Sequence, residues 1–276
     1  MQSPISWLII LMLIVLSSCK KTAPESLSNL SYSKKAYWSK YFNAQKGQYY
    51  QGSIYKQEIF DRLIEIEPEN EYNYRAKSIT HSKIGDYHIA FPLLEKSKAL
   101  DPAESLYYYA WLLTNLYHDY ERAILYLEEY DALTPDQLDY AWGENVYHLK
   151  GLAQRQLGRY EEAINNFTRA IESEGDYPDT YDFVYRGICY LQLGDQKQAI
   201  QDFKKAIDTY DKCSMAFYYQ GVALDQMGKH QAAKASLEQA KALLEKGYKL
   251  TDPYKEVVDE VHLAMVEDYL KGSAIN

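Results

Sequence analysis

Residues 187–207, GICYLQLGDQKQAIQDFKKAI, repeat in outline residues 151–171, GLAQRQLGRYEEAINNFTRAI. Overlaying the two places Gly187 on Gly151, Gly194 on Gly158, Ala199 on Ala163, Phe203 on Phe167 and Ala206 on Ala170. A third copy continues with Gly221, Gly228, Ala233, Leu237 and Ala240, at offsets of 36 and then 34 residues. Recurrence at such a period marks an array of stacked units rather than one compact core.

Each recurring residue has a mechanical reason. Gly187 and Ala199 are small where two helices cross, since a bulkier side chain would wedge them apart. Gly194 suits the left-handed position that ends a helix, and Asp195 can cap the next one. Glu161 and Glu162 place carboxylates at a helix start, where the dipole favours them.

These segments resemble tetratricopeptide repeats (TPRs), each an antiparallel pair of helices, A and B. Phe183, Gly187, Tyr190, Gly194, Ala199, Phe203 and Ala206 follow the family's order. The resemblance implies an all-α chain, a right-handed α-solenoid closed by a C-terminal capping helix. Weaker copies precede the clear ones. Tyr74, Ser78, Gly85, Ala90, Leu94 and Ser97 form one; Tyr107, Asp119, Ala123 and Leu127 form another, with Trp111 and His118 at its glycine positions. The expected array covers 34–252, with five to six repeats at 37–70, 71–103, 104–137, 144–178, 180–213 and 214–247. The first of these is the most degenerate. About six extra residues, LDYAWG, slip the register between Asp136 and Gly143, which predicts a longer loop or kink. From Pro253 a helical pattern with Val257, Val258, Val261, Met265 and Val266 predicts the capping helix and tail, 253–276.

The amino terminus reads as an address. Ile5 to Leu16 is an apolar run too short for a bilayer, which needs roughly 20 helical residues, yet suited to a signal-peptide core. Leu16-Ser17-Ser18-Cys19 follows and resembles the lipobox of bacterial lipoproteins. That resemblance implies removal of residues 1–18, lipid attachment at Cys19 and a membrane-anchored chain on a flexible tether, 19–33. Lys20 after the cysteine implies, by analogy with enterobacterial sorting, the outer membrane of a Gram-negative envelope, facing the periplasm.

The 276-residue chain has a formal net charge of −9, which disfavours nucleic acid as a partner. No zinc-finger spacing, HExxH, GxSxG or phosphate-binding loop is present, so no catalytic, metal or cofactor site is expected. Glu144 and His148 stand one helical turn apart and could touch, and Cys189 and Cys213 leave pairing open.

In TPR proteins the A helices line a concave face. Carrying its positions over gives Tyr72 and Arg75, then His148 and Arg155, then Tyr181 and Tyr185, then Tyr218 and Tyr219 as partner-binding residues. The chain has 29 tyrosines, and a tyrosine-rich groove suits an extended peptide or partner helix. A carboxylate clamp of the chaperone-binding kind is not implied, because His148, Val184 and Tyr218, with Leu152, Ile188 and Val222, occupy its Lys and Asn positions. The expected function is a non-enzymatic, lipid-anchored adaptor that binds a protein or peptide. The alternative is a glycan-binding module that stacks cell-wall sugars on the same rings. The family resemblance also allows a homodimer through terminal repeats.

Overall fold

The computed structural model describes residues 26–135 and 137–272; Cys19 and the segments 1–18 and 19–25 lie outside them. Thirteen helices occur among the described residues. They are α1 (Tyr32–Lys46), α2 (Ile54–Ile66), α3 (Glu71–Ile84), α4 (Tyr87–Leu100), α5 (Pro102–Asn115), α6 (Tyr120–Asp131), α7 (Val146–Gln156), α8 (Tyr160–Ser173), α9 (Thr180–Gln192), α10 (Gln196–Thr209), α11 (Ser214–Gln226), α12 (His230–Glu245) and α13 (Leu263–Gly272). Consecutive helices pack as six A–B pairs, from α1–α2 to α11–α12, and each B helix also packs on the next A helix. The last B helix, α12, is covered by α13.

Close approach within a pair is enforced by the absence of a side chain. A methyl built on Gly151 would lie 2.8 Å from the Phe167 ring, one on Gly187 2.7 Å from Phe203, and one on Gly221 2.6 Å from Leu237. In all three pairs the partner stands sixteen residues on and is fully buried. The glycine therefore acts as a socket for the large side chain of helix B. Ser78 and Leu94, also sixteen residues apart and both fully buried, take the same places in α3 and α4.

Turns between A and B use a left-handed residue: Gly85, Gly158, Gly194 and Gly228 have φ of 81°, 75°, 79° and 72°. His118 takes this conformation at φ 54°, where a β-carbon costs about 1 kcal/mol or more. Its turn is also one residue longer. The Asp195 amide bonds the Tyr190 carbonyl five residues back, whereas the Asp119 amide reaches Leu113, six back. That insertion shifts the crossing residue from Trp111 to Ala110, which is fully buried. The small residue missing from the sequence register is thus present, displaced by one. Asp195 and Asp119 both cap the following helix, accepting from the amides of Gln198 at 3.1 Å and Arg122 at 3.3 Å.

The register slip after α6 is taken up by a two-residue antiparallel hairpin, β1 (Tyr140–Ala141) and β2 (Glu144–Asn145). Trp142 and Gly143 turn it with φ of 52° and 87°. The hairpin folds against α5 while α6 still packs on α7, so the helix pairs continue across it. Apolar clusters run from α3 to α7 and from α7 to α13, with a smaller one around Phe60 and Leu63 at the amino-terminal end.

The carboxyl-terminal expectation needs correction. Residues 248–262 form no helix, and α13 begins only at Leu263. Val266 is fully buried and Val261 nearly so, but Val257 and Val258 belong to an irregular segment. Valine's preference for extended backbone, together with Pro253, explains why the mixed three- and four-residue spacing did not yield a helix.

Gly187→Ala is expected to lower stability by about 1–3 kcal/mol through overpacking on Phe203, although helix propensity alone favours Ala. Gly47→Ala, at φ −74° with nothing within 4 Å of the added methyl, is expected to raise it by about 0.5 kcal/mol. Urea unfolding followed by circular dichroism checks both; a Gly187→Ala chain as stable as the parent would remove the socket from the account.

Candidate functional site

The A helices α3, α5, α7, α9 and α11 carry the residues expected to face a partner. Tyr72, in α3, is exposed, its ring flanked by the Lys46 ammonium at 4.6 Å and the Arg75 guanidinium at 5.5 Å. Arg75 is buried. Its guanidinium donates to both Glu71 oxygens, at 3.1 and 2.9 Å, and to the Tyr107 hydroxyl at 2.7 Å. Ser97 and Ser105 complete the Glu71 shell at 2.9 and 3.3 Å, so this charge ties α3, α4 and α5 together. A second buried fork has the same logic: Arg186 of α9 donates to both oxygens of Asp202 in α10, at 2.7 and 2.8 Å, and to Thr168 of α8. Such pairs contribute little when complete but cost several kcal/mol when one partner is lost.

In the second half the expected residues converge. His148 of α7 pairs with Asp182 of α9, Nδ1 to Oδ1 at 2.7 Å, and its ring meets Tyr185 edge-on at 5.9 Å. Tyr181 and Tyr185 adjoin at 6.5 Å between ring centres. Tyr218 and Tyr219 of α11 meet at 5.1 Å, Tyr219 stacking on Phe203 and Tyr218 against Tyr269 of α13. Tyr185 and Tyr218 are buried, at 4% and 9% exposure, which leaves their faces to neighbouring side chains.

Glu144 and His148 do not pair. Glu144 Oε1 instead accepts from Trp111 Nε1 at 2.8 Å and from Lys255 Nζ at 2.6 Å. Cys189 and Cys213 are buried free thiols; burial pushes Cys189 up to about 12 and Cys213 up to about 11, which makes both poor nucleophiles. Among the described residues no group of three or more His, Cys, Asp or Glu is placed to hold a metal ion.

The feature that sequence reasoning missed is the irregular segment after α12. It leaves repeat six, returns across the A helices and turns at Tyr254, whose ring lies 4.6 Å from the Lys83 ammonium of α3. On the way back Lys255 reaches Glu144, the Tyr185 hydroxyl donates to the Val258 carbonyl at 3.4 Å, and Asp259 pairs with Arg155. Lys249 and Glu260 tie the two legs at 2.6 Å. A cavity of about 240 Å³ remains between loop and helices, lined by Glu144, His148, Asp182, Tyr181, Tyr185 and Asp252 among others. The available signal was charge alternation in Lys255-Glu256-Val257-Val258-Asp259, but nothing local says where such charges will be answered.

Burial alone would lower the His148 pKa; the Asp182 carboxylate outweighs it, and the net direction is upward from 6.5. Burial also raises Asp182. A histidine held above its unfolded value stabilises the fold fully below about pH 6.5 and loses that contribution as pH rises through the folded value. Stability is therefore expected to fall as pH rises above about 6.5, and His148→Gln to flatten that fall; urea unfolding at a series of pH values from there upward checks it, and an unchanged slope in the variant would assign the effect elsewhere.

Comparison with known proteins agrees with this architecture. Residues 148–212 and 186–246 match the tetratricopeptide-repeat family. Anaphase-promoting complex subunit 3 of Schizosaccharomyces pombe is 29% identical over 118 residues, which is 42% of this chain and 17% of that protein, so the chain spans only a minor part of that relative's length. Among solved structures, PilW, a widely conserved type IV pilus biogenesis factor, superposes with a TM-score of 0.56 at 14% identity over 78% of this chain and 96% of its own. YrrB, a TPR protein with an unusual peptide-binding site, gives 0.54 at 20% identity over 68% and 94%. MamA of MSR-1 gives 0.52 at 24% over 64% and 98%, and at these identities the likeness speaks for the fold alone. With glycine sockets, left-handed A–B turns and paired-helix stacking in the same chain, residues 148–246 match the tetratricopeptide-repeat family and the described residues fold as an all-helical array of paired TPR helices.

Proposed function

We propose that the protein is a non-enzymatic adaptor, held to a bacterial envelope through a lipid on Cys19, that takes a partner protein as an extended segment along its A-helix face. One observation carries the binding half of this reading. The A-helix face already receives an irregular, extended stretch of polypeptide through side chains from α3, the hairpin, α7 and α9. A surface that binds its own chain in this manner has the chemistry to bind another: aromatic rings of low conformational entropy, with isolated charges that set register. The peptide reading is favoured over glycan binding because Tyr185 and Tyr218 are buried against neighbours and offer no open ring face for a sugar. YrrB, with its peptide-binding site, supports the same mode on a similar fold.

The anchoring half rests on the sequence alone. The apolar run and Leu16-Ser17-Ser18-Cys19 supply the lipidation signal, Lys20 favours the outer membrane, and among the described residues no helix is long and apolar enough to cross a bilayer. Acylation at Cys19 would then hold the array close to the membrane on the polar stretch that follows.

Two measurements test the halves separately. A photo-crosslinking residue at Tyr72 or Tyr181 is expected to capture a discrete partner in native envelopes, whereas one at the exposed Leu125 on α6 captures none; capture only from Leu125 would move the interface to the other face. Cys19→Ser is expected to shift nearly all of the chain from the membrane to the soluble fraction and abolish incorporation of an alkynyl fatty acid. Retention in the membrane with no label on the parent chain would remove the anchor.

A further inference from the structure

The loop between Lys249 and Glu260 is held in a way unlike the rest of the molecule. None of residues 248–260 is buried, and none is in a helix or strand, so the segment stays in place through side-chain contacts, with Val258 its one residue packed on the apolar cluster of the second half. Its polar contacts are few and mostly charged: Lys255 on Glu144, Asp259 on Arg155, Lys83 on the Tyr254 ring, the Tyr185 hydroxyl on the Val258 carbonyl, and Lys249 on Glu260 within the loop.

They are also incompletely satisfied. Among the described residues six buried side-chain polar atoms lack a hydrogen-bond partner, and three of them, Glu144 Oε2, Arg155 Nε and Asp182 Oδ2, belong to the groove, while Asp259 Oδ2 of the loop has only its ion pair with Arg155. Asp259 further adopts a left-handed backbone at φ 56°. Native structures rarely leave buried polar groups alone, and a cluster of them at one interface marks a contact short of its best geometry. The receiving residues are nonetheless anchored by their own neighbours, Glu144 by Trp111 and His148 by Asp182. A rigid, charged receptor face therefore meets a poorly fitted occupant.

We propose that this loop is a resident stand-in for the partner, and that the partner's own segment displaces it. The proposal rests on the A-helix face being the binding face and specifies what it binds. The contacts define the chemistry: an extended stretch with a cationic side chain toward Glu144, a carboxylate four residues later toward Arg155, and aliphatic residues between them, as in Lys255-Glu256-Val257-Val258-Asp259. A tethered loop competes at a high effective concentration, so a partner in trans reaches the face only in the fraction of molecules whose loop has swung out. Weakening the loop's contacts without touching the receiving residues raises that fraction.

The test uses a fluorescein-labelled peptide with the sequence of residues 251–262, titrated with the full chain in detergent and followed by anisotropy. Lys255→Ala with Asp259→Ala is expected to bind the peptide at least tenfold more tightly than the parent chain. Adding Arg155→Glu to that double variant is expected to cancel the gain, and a peptide with its lysine and its first valine-flanked aspartate exchanged is expected to bind neither chain. Lys249→Ala, which cuts the tie between the legs and leaves the groove untouched, is expected to move affinity in the same direction by a smaller factor, and serves if the double variant does not fold. Equal affinity for parent and loosened chains, or equal binding of the exchanged peptide, would overturn the proposal. A partner crosslinked at Tyr181 together with a null peptide result would sink the loop's role alone, whereas crosslinking confined to α6 would sink the face on which it depends.

Discussion

The array depends on how near helix A can come to helix B. Where Gly151, Gly187 and Gly221 sit, the facing Phe167, Phe203 and Leu237 enter space that a β-carbon would fill, and each is thereby removed from water completely. Burial of a side chain of this size contributes roughly 1.5–3 kcal/mol, and it recurs in each of these pairs. Ala163, Ala199 and Ala233 on the B helices are fully buried in turn, so both backbones are bare at the crossing. A repeat protein has only nearest-neighbour interfaces, so a crossing that sets the tilt of one pair also sets the surface offered to the next.

Away from this apolar device the amino-terminal half uses a polar one. Between α3, α4 and α5 the crossing is made by Ser78 and Ala110, and the glycine–phenylalanine socket is absent. There the Glu71–Arg75 pair with Ser97, Ser105 and Tyr107 supplies a saturated network, in which each buried charge has several donors or acceptors. The tyrosines contribute by the same logic: Tyr74, Tyr109 and Tyr117 place a large ring against helices and a hydroxyl on Pro68, Glu95 and Ser82. Their abundance in this chain is thus partly a means of joining helices, with an aromatic surface for partners as a by-product of the same residue type.

This division explains what sequence could and could not disclose. The three glycine-socket pairs were legible because the constraint is steric, local and written in residue type: only a residue without a β-carbon leaves room for the facing side chain. Left-handed turns and aspartate caps were legible for the same reason, down to Asp195. Ala110 was misplaced because a one-residue insertion in the His118 turn is invisible to fixed spacing, and only the lengthened Asp119–Leu113 bond reveals it. Likewise, the candidate site residues were read without their intramolecular partners. Arg75, His148 and Arg155 read as cations open to a ligand, whereas Glu71, Asp182 and Asp259 answer them, the last from over a hundred residues away. Pairing at that separation depends on the stacking of whole repeats, which no local pattern encodes.

Arg75, Arg186 and Arg155 differ in how completely they are answered, and that difference separates framework from exchangeable contact. Arg75 and Arg186 meet carboxylates through forked bonds within packed helices, so neither can change partner without unfolding a pair. Among the described residues Arg155 meets one carboxylate, Asp259, from an unburied loop with a left-handed residue at the contact, lies over the Tyr185 ring, and keeps an Nε without a hydrogen bond. Local opening costs least where contacts are few and exposed, so the loop can leave at a free energy well below that of global unfolding. The hairpin that carries Glu144 and the helix that carries Arg155 meanwhile stay fixed by their own packing. A face whose charges are held by the framework but covered by a loosely held loop is suited to exchange, and in this chain that combination occurs on the same A helices to which the repeat architecture assigns recognition.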